Sequence, residues 1–342
     1  MKQTLAQSSA RVGQKLRPRL GFLGVGWIGR QRMEVLAQAE VAGIVAIADP
    51  LETAAKQAAQ AVPGTQVAAS LEALLAMELD GLVIATPSAL HAEQAMAALE
   101  RGLAVFCQKP LARTAEETRQ IIAAAQRVNR LLEVDFSYRF VRGMAAVREA
   151  VLGGELGEVY AVDLTFHNAY GPDKPWFYDV KLAGGGCVMD LGSHLVDLAL
   201  WILDFPQIKN VASALYAQGK RLPKPVEQVE DYAMAHLELN DGASIRLACS
   251  WGLAAGQDAV IEAVFYGTRG GAALRNVNGS FYDFTVERFY GTRRELLATF
   301  PDLWGGRALV DWARRLAADG RFDAKTQQLV DIAATLDRIY GR

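Results

Sequence analysis

Three side chains carry the chemistry open to this chain: Lys109, Asp190 and His194. Lys109 follows an apolar run at 104–107, and Pro110 behind it biases its backbone towards an extended conformation, which sets the side chain's direction. An ammonium in a dry cleft can donate to a substrate hydroxyl and stabilise an alkoxide as it develops. Taken alone, Lys109 reads better as a solvated lysine at a strand end. The segment 184–197 shifts the balance. Asp190 and His194 are four residues apart, so on a regular helix they share a face and their side chains meet. Gly184, Gly185 and Gly186 at the entry permit a close approach of backbone to ligand. Val188, Leu191, Leu195, Val196 and Leu198 are apolar, so the helix is buried, and a buried Asp–His pair is costly without a partner or a task. Imidazole titrates near neutrality and suits removal of a proton from an alcohol. A structural hydrogen bond, or capping by Asp190, accounts for the same spacing. Cys187, Asp190 and His194 also have the spacing of a zinc trio. However, Cys187 follows three glycines, where the helix need not have begun, and no second ligand cluster appears. The four histidines (His91, His167, His194, His236) form neither a His-x-His nor a His-Glu-x-x-His pair, so no metal is expected.

The elements that must position these groups are legible as apolar runs. Runs at 20–23, 44–48, 81–85, 104–107 and 131–134 alternate with helical segments at 30–38, 51–61, 91–101 and 114–129. Such alternation implies a doubly wound parallel sheet covered on both faces, with ligands beyond the carboxyl ends of its strands. Gly24, Gly26 and Gly29 follow the first run with the spacing of a dinucleotide turn. The first allows the bend, the second lets backbone approach a pyrophosphate, and the third packs the helix on its strand. Trp27 and Ile28 lie between them. Asp49 closes the second run, where a carboxylate can accept both hydroxyls of an adenosine ribose. A 2′-phosphate is repelled there, and Pro50 supplies no compensating cation, so NAD is expected over NADP. A turn-forming role for the Asp-Pro pair is the plainer alternative. Thr86, Pro87, Gln108 and Lys109 follow later runs and join this cofactor set. His91 borders the same cleft and is carried with them, although by itself it reads better as a buried structural histidine.

Beyond about residue 136 the pattern changes to an α+β domain with an open, mostly antiparallel sheet. Strands are expected at 158–168, 211–218, 232–239, 244–251 and 259–266, with an Asn240-Asp241-Gly242 hairpin turn. The loop 168–179 is rich in Gly, Pro and aromatics. His167, Asn168 and Trp176, with Arg139 before them, offer the flat faces and polar groups of a pocket for a polyhydroxylated ligand. Loop packing explains the same residues about as well. The expected division is a leader at 1–18, a dinucleotide-binding domain at 19–137, a substrate and oligomerisation domain at 138–307, and C-terminal helices at 308–342 that pack back on the body. A sheet covered on one face leaves an apolar face for a second subunit, hence a homodimer or homotetramer.

Bulk properties narrow the partners. With 342 residues, two domains are the natural division. A net charge of −2 provides no basic field for nucleic acid or an anionic membrane. Hydrophobic content of 51% and charged content of 22% are those of a globular chain with no membrane span. Residues 1–19 lack the apolar core of a signal peptide. Cys107, Cys187 and Cys249 form no disulfide framework and fit a reducing cytoplasm.

Together these residues resemble one family, the glucose–fructose oxidoreductase, inositol dehydrogenase and MocA group. The resemblance runs from residue 20 to about 201, and more loosely to the end. It is carried by 24–29, Ala85-Thr86-Pro87 with His91, Lys109-Pro110, Tyr138-Arg139-Phe140 and 184–197. It implies that Lys109 contacts the nicotinamide ribose and the substrate hydroxyl, and that Asp190 and His194 bind substrate and exchange its proton. The implied reaction is reversible hydride transfer to or from a hydroxyl-bearing carbon of a sugar, polyol or related small carbohydrate. In it His194 is the general base, Lys109 steadies the alkoxide, and Asp190 orients substrate and imidazole. One departure is Gln108, where the family's motif has a Glu; an amide removes a counter-charge from beside Lys109. The resemblance also admits a glycosidase that retains NAD and works by oxidation and elimination. A non-enzymatic dinucleotide-binding regulator and, more weakly, a linear tetrapyrrole reductase complete the alternatives.

Overall fold

The computed structural model describes residues 17–342; of the expected leader at 1–18, residues 1–16 lie outside the described residues. The first sheet is built from β1 (Arg19–Leu23), β2 (Gly43–Ala48), β3 (Gln66–Val67), β4 (Gly81–Ile84), β5 (Ala104–Cys107) and β6 (Leu132–Val134). Helices α1 (Trp27–Ala39), α2 (Glu52–Ala61), α3 (Leu71–Leu75), α4 (Ser88–Glu100) and α5 (Ala115–Arg127) connect them. The strand order β3-β2-β1-β4-β5-β6 is that of a doubly wound dinucleotide fold, whose order reverses beside β1. All pairs in it are parallel. Alternation along the strands divides the core. Leu20, Phe22, Val83 and Phe106 face one side; Leu82, Ile84, Val105 and Cys107 face the other. Full burial of side chains such as Leu20, Phe22 and Phe106 contributes roughly 1.5–3 kcal/mol each, which is why the strands read as continuous apolar runs.

The second domain contains α6 (Met144–Leu152), β7 (Val159–Asn168), α7 (Val180–Ala183), α8 (Ser193–Ile202), β8 (Ile208–Ala217), β9 (Lys220–Arg221), β10 (Tyr232–Leu239), β11 (Ser244–Ser250), β12 (Ala259–Gly267), β13 (Gly271–Asn276), β14 (Phe284–Tyr290) and β15 (Arg293–Ala298). Its nine strands run β15-β14-β13-β12-β7-β11-β10-β8-β9. The sheet is antiparallel except for the parallel pair β7 and β11. The inner face, with Val162, Leu164, Phe166, Leu237, Ile245, Leu247 and Ile261, packs into the core with Leu195 and Leu198 of α8. The opposite face is mixed rather than apolar. It carries Asp163 paired with Arg246 at 3.0 Å, His236 beside Ser244, and an exposed Met234. The last two helices, α9 (Arg307–Ala318) and α10 (Gln328–Tyr340), divide between the sheets. Trp312 of α9 packs on Phe106 with ring centroids 5.6 Å apart, completing one face of the first sheet. The α10 helix packs on α5, α8 and β8. Among the described residues, no helix is long and apolar enough to cross a membrane.

Candidate active site

The dinucleotide turn has the form its glycines require. Gly24 sits at φ +83°, and a Cβ there would lie 2.6 Å from the Ala85 carbonyl oxygen. A Cβ on Gly29 would strike the Gly24 carbonyl oxygen, so strand and helix can be this close only with glycine at both positions. Gly26 is different: its side is open, and no heavy atom lies within 4 Å of where a Cβ would stand. It precedes α1, whose first turn has no side-chain cap and no acidic residue. The free N–H groups there form an anion site. Trp27 is 58% exposed at its rim, with Ile28 partly exposed beside it. Asp49 sits alongside, its two oxygens accepting from the backbone N–H groups of Val25 and Leu51, each at 2.8 Å. These bonds fix the carboxylate and leave lone pairs for hydroxyl donors. An open glycine, a bare helix N-terminus and a fixed carboxylate fit a dinucleotide.

Across the cleft, Thr86 and Pro87 are partly exposed after β4, and the Thr86 hydroxyl donates to Gln94 at 2.5 Å. His91 is buried, and its ring nitrogens lie 2.7 Å from the Thr86 carbonyl oxygen and 2.8 Å from that of Pro110. This corrects its placement among cofactor-lining residues: it braces the loops after β4 and β5. Burial pushes its imidazole below the usual range, against the pull of the two carbonyls.

Lys109 reaches from the first domain into the second. Its Nζ donates to Asp190 Oδ1 at 2.6 Å and to the Asp190 carbonyl oxygen at 2.7 Å. The other carboxylate oxygen of Asp190 accepts from Trp251 Nε1 at 3.1 Å. The sequence spacing expects Asp190 to meet His194, and here it is wrong. Residues Val188–Gly192 form a π-helical turn, which slips the helical phase, so the four-residue spacing no longer aligns the side chains. His194 has a buried Nδ1 with no hydrogen-bond partner among the described residues. Its ring meets Tyr138 edge-on at 5.0 Å. Burial pushes the His194 imidazole well below its usual range, and the Lys109 and Arg32 cations act in the same direction. The result is a neutral base beside an ion pair. Cys187 turns away from Asp190, with its Sγ 3.8 Å from that of Cys249, so the three spaced residues do not converge as a metal site.

Two expected substrate contacts are also corrected. The Arg139 guanidinium is bound by Asp197 through Nε and Nη2 and lies over the rings of Phe136, Trp201 and Phe205. It therefore braces α8. Arg139→Ala is expected to lower stability by about 3 kcal/mol, because Asp197 is left buried without its partner. Thermal melting checks this, and substrate KM should change little. His167 lies on the opposite face of the sheet from Phe166, which faces α8. It bonds Ser250 Oγ at 2.8 Å and stacks on Tyr232. Strand alternation alone could have shown that His167 and Phe166 diverge. Asn168 Oδ1 accepts from Tyr170 N at 2.8 Å and shapes the loop. Trp176 stacks on Phe177, which meets Trp251 in a T-shaped contact, and Trp251 is the indole that donates to Asp190.

The sequence reading missed Trp251, Arg32, Asp135, Glu230 and Tyr340. Asp135 had a signal: it stands right after the fifth apolar run, where a doubly wound sheet places its ligands. The others are set by tertiary packing.

Fold and site define a two-domain oxidoreductase, with a dinucleotide half and a sheet half that meet through Lys109 and Asp190. Residues 18–136 match the family described as the oxidoreductase family with an NAD-binding Rossmann fold, and residues 144–273 match the GFO/IDH/MocA C-terminal domain. The chain belongs to the GFO/IDH/MocA family. It is 32% identical over 313 residues to a putative UDP-kanosamine synthase oxidoreductase subunit of Amycolatopsis mediterranei, covering 87% of this chain and 86% of that one. It is 30% identical over 211 residues to D-glucoside 3-dehydrogenase of Escherichia coli, covering 59% of this chain and 60% of that relative. Among solved structures, GenD2 from gentamicin A biosynthesis in complex with NAD superposes with a TM-score of 0.79 at 25% identity, covering 95% and 93% of the two chains.

Proposed function

We propose that this protein is an NAD-dependent dehydrogenase or reductase, acting on a hydroxyl-bearing carbon of a sugar, polyol or related carbohydrate. The observation that carries this reading is the ion pair of Lys109 and Asp190, formed between the two domains beside a neutral, half-buried His194. NAD, when bound, supplies the hydride acceptor, and its reduced form the donor. In oxidation His194 takes the hydroxyl proton. The Lys109 ammonium donates to the same oxygen and stabilises its negative charge in a site shielded from water. Asp190 anchors Lys109, rather than the imidazole, and Trp251 fixes the carboxylate. The aromatic loop around Trp176 offers ring faces to the ligand.

NAD is favoured over NADP because the fixed Asp49 carboxylate repels a 2′-phosphate. A cytoplasmic location fits three free, buried thiols, and the mixed face of the nine-stranded sheet is the surface offered for homo-oligomers. The test is a panel of sugars and polyols with NAD and NADP, following absorbance of reduced nicotinamide. We expect turnover with NAD and a preference over NADP of about tenfold or more, equivalent to about 1.4 kcal/mol. Absence of heat on calorimetric titration with either dinucleotide overturns the reading. Phenol release from aryl glycosides without net cofactor change replaces it with the oxidation–elimination reaction.

A further inference from the structure

Three side chains outside the ion pair meet behind Lys109. Arg32 stands on α1, one turn past the last glycine of the dinucleotide turn. Asp135 follows β6, and Gln108 immediately precedes Lys109. Arg32 Nε donates to Asp135 Oδ2 at 2.6 Å, and Gln108 Nε2 donates to the same oxygen at 2.5 Å. The Arg32 and Asp135 side chains are 7% and 0% exposed. A carboxylate this deep persists only when a cation and hydrogen-bond donors meet it. Its second oxygen, Oδ1, is buried without a partner among the described residues, so the group is committed to these two donors.

We propose that Asp135, held by Arg32, is the positioning residue for Lys109: it fixes the Gln108 amide and with it the backbone from which Lys109 reaches Asp190. The triad ties helix α1, whose N-terminus faces the dinucleotide site, to the group that handles the substrate's oxygen. It also accounts for the amide at 108. A glutamate there would set a second carboxylate against Asp135 in dry surroundings, where like charges repel strongly. The negative charge that the resemblance places at 108 is supplied here from β6 instead.

The kinetic half of the test rests on the function proposed above; the melting half does not. The full chain is prepared as Gln108→Glu, as Asp135→Asn, and as the double variant. The double variant keeps one carboxylate and one amide but exchanges their positions. Melting of the protein without dinucleotide, NADH fluorescence titration, kcat and KM are then measured. Each single change is expected to lower Tm by roughly 5 °C. Gln108→Glu is expected to lower kcat by about 10–100-fold, as a small misplacement does, with NADH affinity and KM little changed. The double variant should regain at least half of the lost Tm and about tenfold in kcat over Gln108→Glu, because the two sites share one interaction. Additive losses in the double variant overturn the proposal, as does a Gln108→Glu variant equal to wild type. Recovery of Tm without recovery of kcat also overturns it, since the triad then only supports the fold. Should Gln108→Glu not fold, a folded and active double variant supports the proposal and an unfolded one overturns it. Lack of turnover by the wild type refutes the proposed function and is distinguishable from a variant-specific loss.

Discussion

His194→Ala is expected to lower kcat by about 10²–10⁴-fold while NAD affinity stays unchanged. In the reaction proposed above the loss falls on kcat, because the imidazole takes the proton of the reacting oxygen, whereas the dinucleotide turn, Asp49 and the α1 N-terminus belong to the other domain. Its pH behaviour gives the assignment a second handle. Burial first, and the Lys109 and Arg32 cations after it, hold His194 well below its ordinary range. The acid limb of kcat/KM for oxidation should therefore lie below about 6.5, the ordinary histidine value, and should disappear in the alanine variant. Stability has a matching sign. The unfolded chain binds the proton near pH 6.5 while the folded chain refuses it, so the folded state loses stability as pH falls through that value towards the depressed folded one. His194→Ala removes this contribution and should melt with less acid sensitivity. Survival of turnover with an accepted substrate, at wild-type rate and profile, removes His194 from the mechanism.

Much of this site was legible because its parts are local. The glycines at 24 and 29 each answer one steric demand of the fold within six residues, the open Gly26 lies between them, and Asp49 closes the neighbouring strand, so spacing alone locates the turn. Lys109 is legible for the same reason, at the carboxyl end of a buried strand. The reading fails where a local rule is overridden. Asp190 and His194 part because a π-turn inserts into a helix that the apolar spacing presents as regular. Arg139 looks like a free cation in sequence, but its carboxylate is 58 residues away on α8. Five strands were also missed, two of them the two-residue β3 (Gln66–Val67) and β9 (Lys220–Arg221). Gly271–Asn276 is short and alanine-rich, the alternation of Phe284–Tyr290 is broken by the adjacent Glu287 and Arg288, and the edge strand Arg293–Ala298 runs from three charged residues into three apolar ones, so none shows a clear period of two. Cross-strand pairs such as Arg294 with Glu287 hold those strands, and nothing in either segment alone discloses its partner.

The turn that carries Asp190 is held from a distance, and removing that hold should rank with the loss of His194. Four successive N–H groups open the turn, none with an intrahelical partner. Gly186 N donates to Glu230 Oε2 at 2.9 Å, Cys187 N to the Glu230 carbonyl oxygen at 3.0 Å, and Val188 N to Glu230 Oε1 at 2.8 Å. Met189 N donates to the Tyr340 hydroxyl at 3.2 Å, which itself donates to Glu230 Oε1 at 2.8 Å. Glu230 and Tyr340 thus cap the helix that carries Asp190 and His194 as a local N-cap residue would cap an ordinary one. The glycines make room, since a Cβ on Gly185 or Gly186 would strike the Tyr340 hydroxyl or the Glu230 carbonyl oxygen. Glu230→Ala strands two N–H groups and a hydroxyl in the core; at about 1–3 kcal/mol each, with some relaxation, the expected loss is ~3–6 kcal/mol. Tyr340→Phe strands one N–H and should cost ~1–3 kcal/mol. In both variants kcat should fall, because Asp190 loses the turn that aims it at Lys109, while NADH affinity is retained. Burial pushes the Glu230 carboxyl up to about 7 against the pull of its donors. Its contribution is therefore full below the ordinary value near 4.3 and is lost as pH rises through about 7. Glu230→Ala should show its smallest stability deficit above neutrality and its largest in mild acid. A deficit that grows with pH instead means that the buried carboxylate is held ionised by its donors more strongly than burial opposes it.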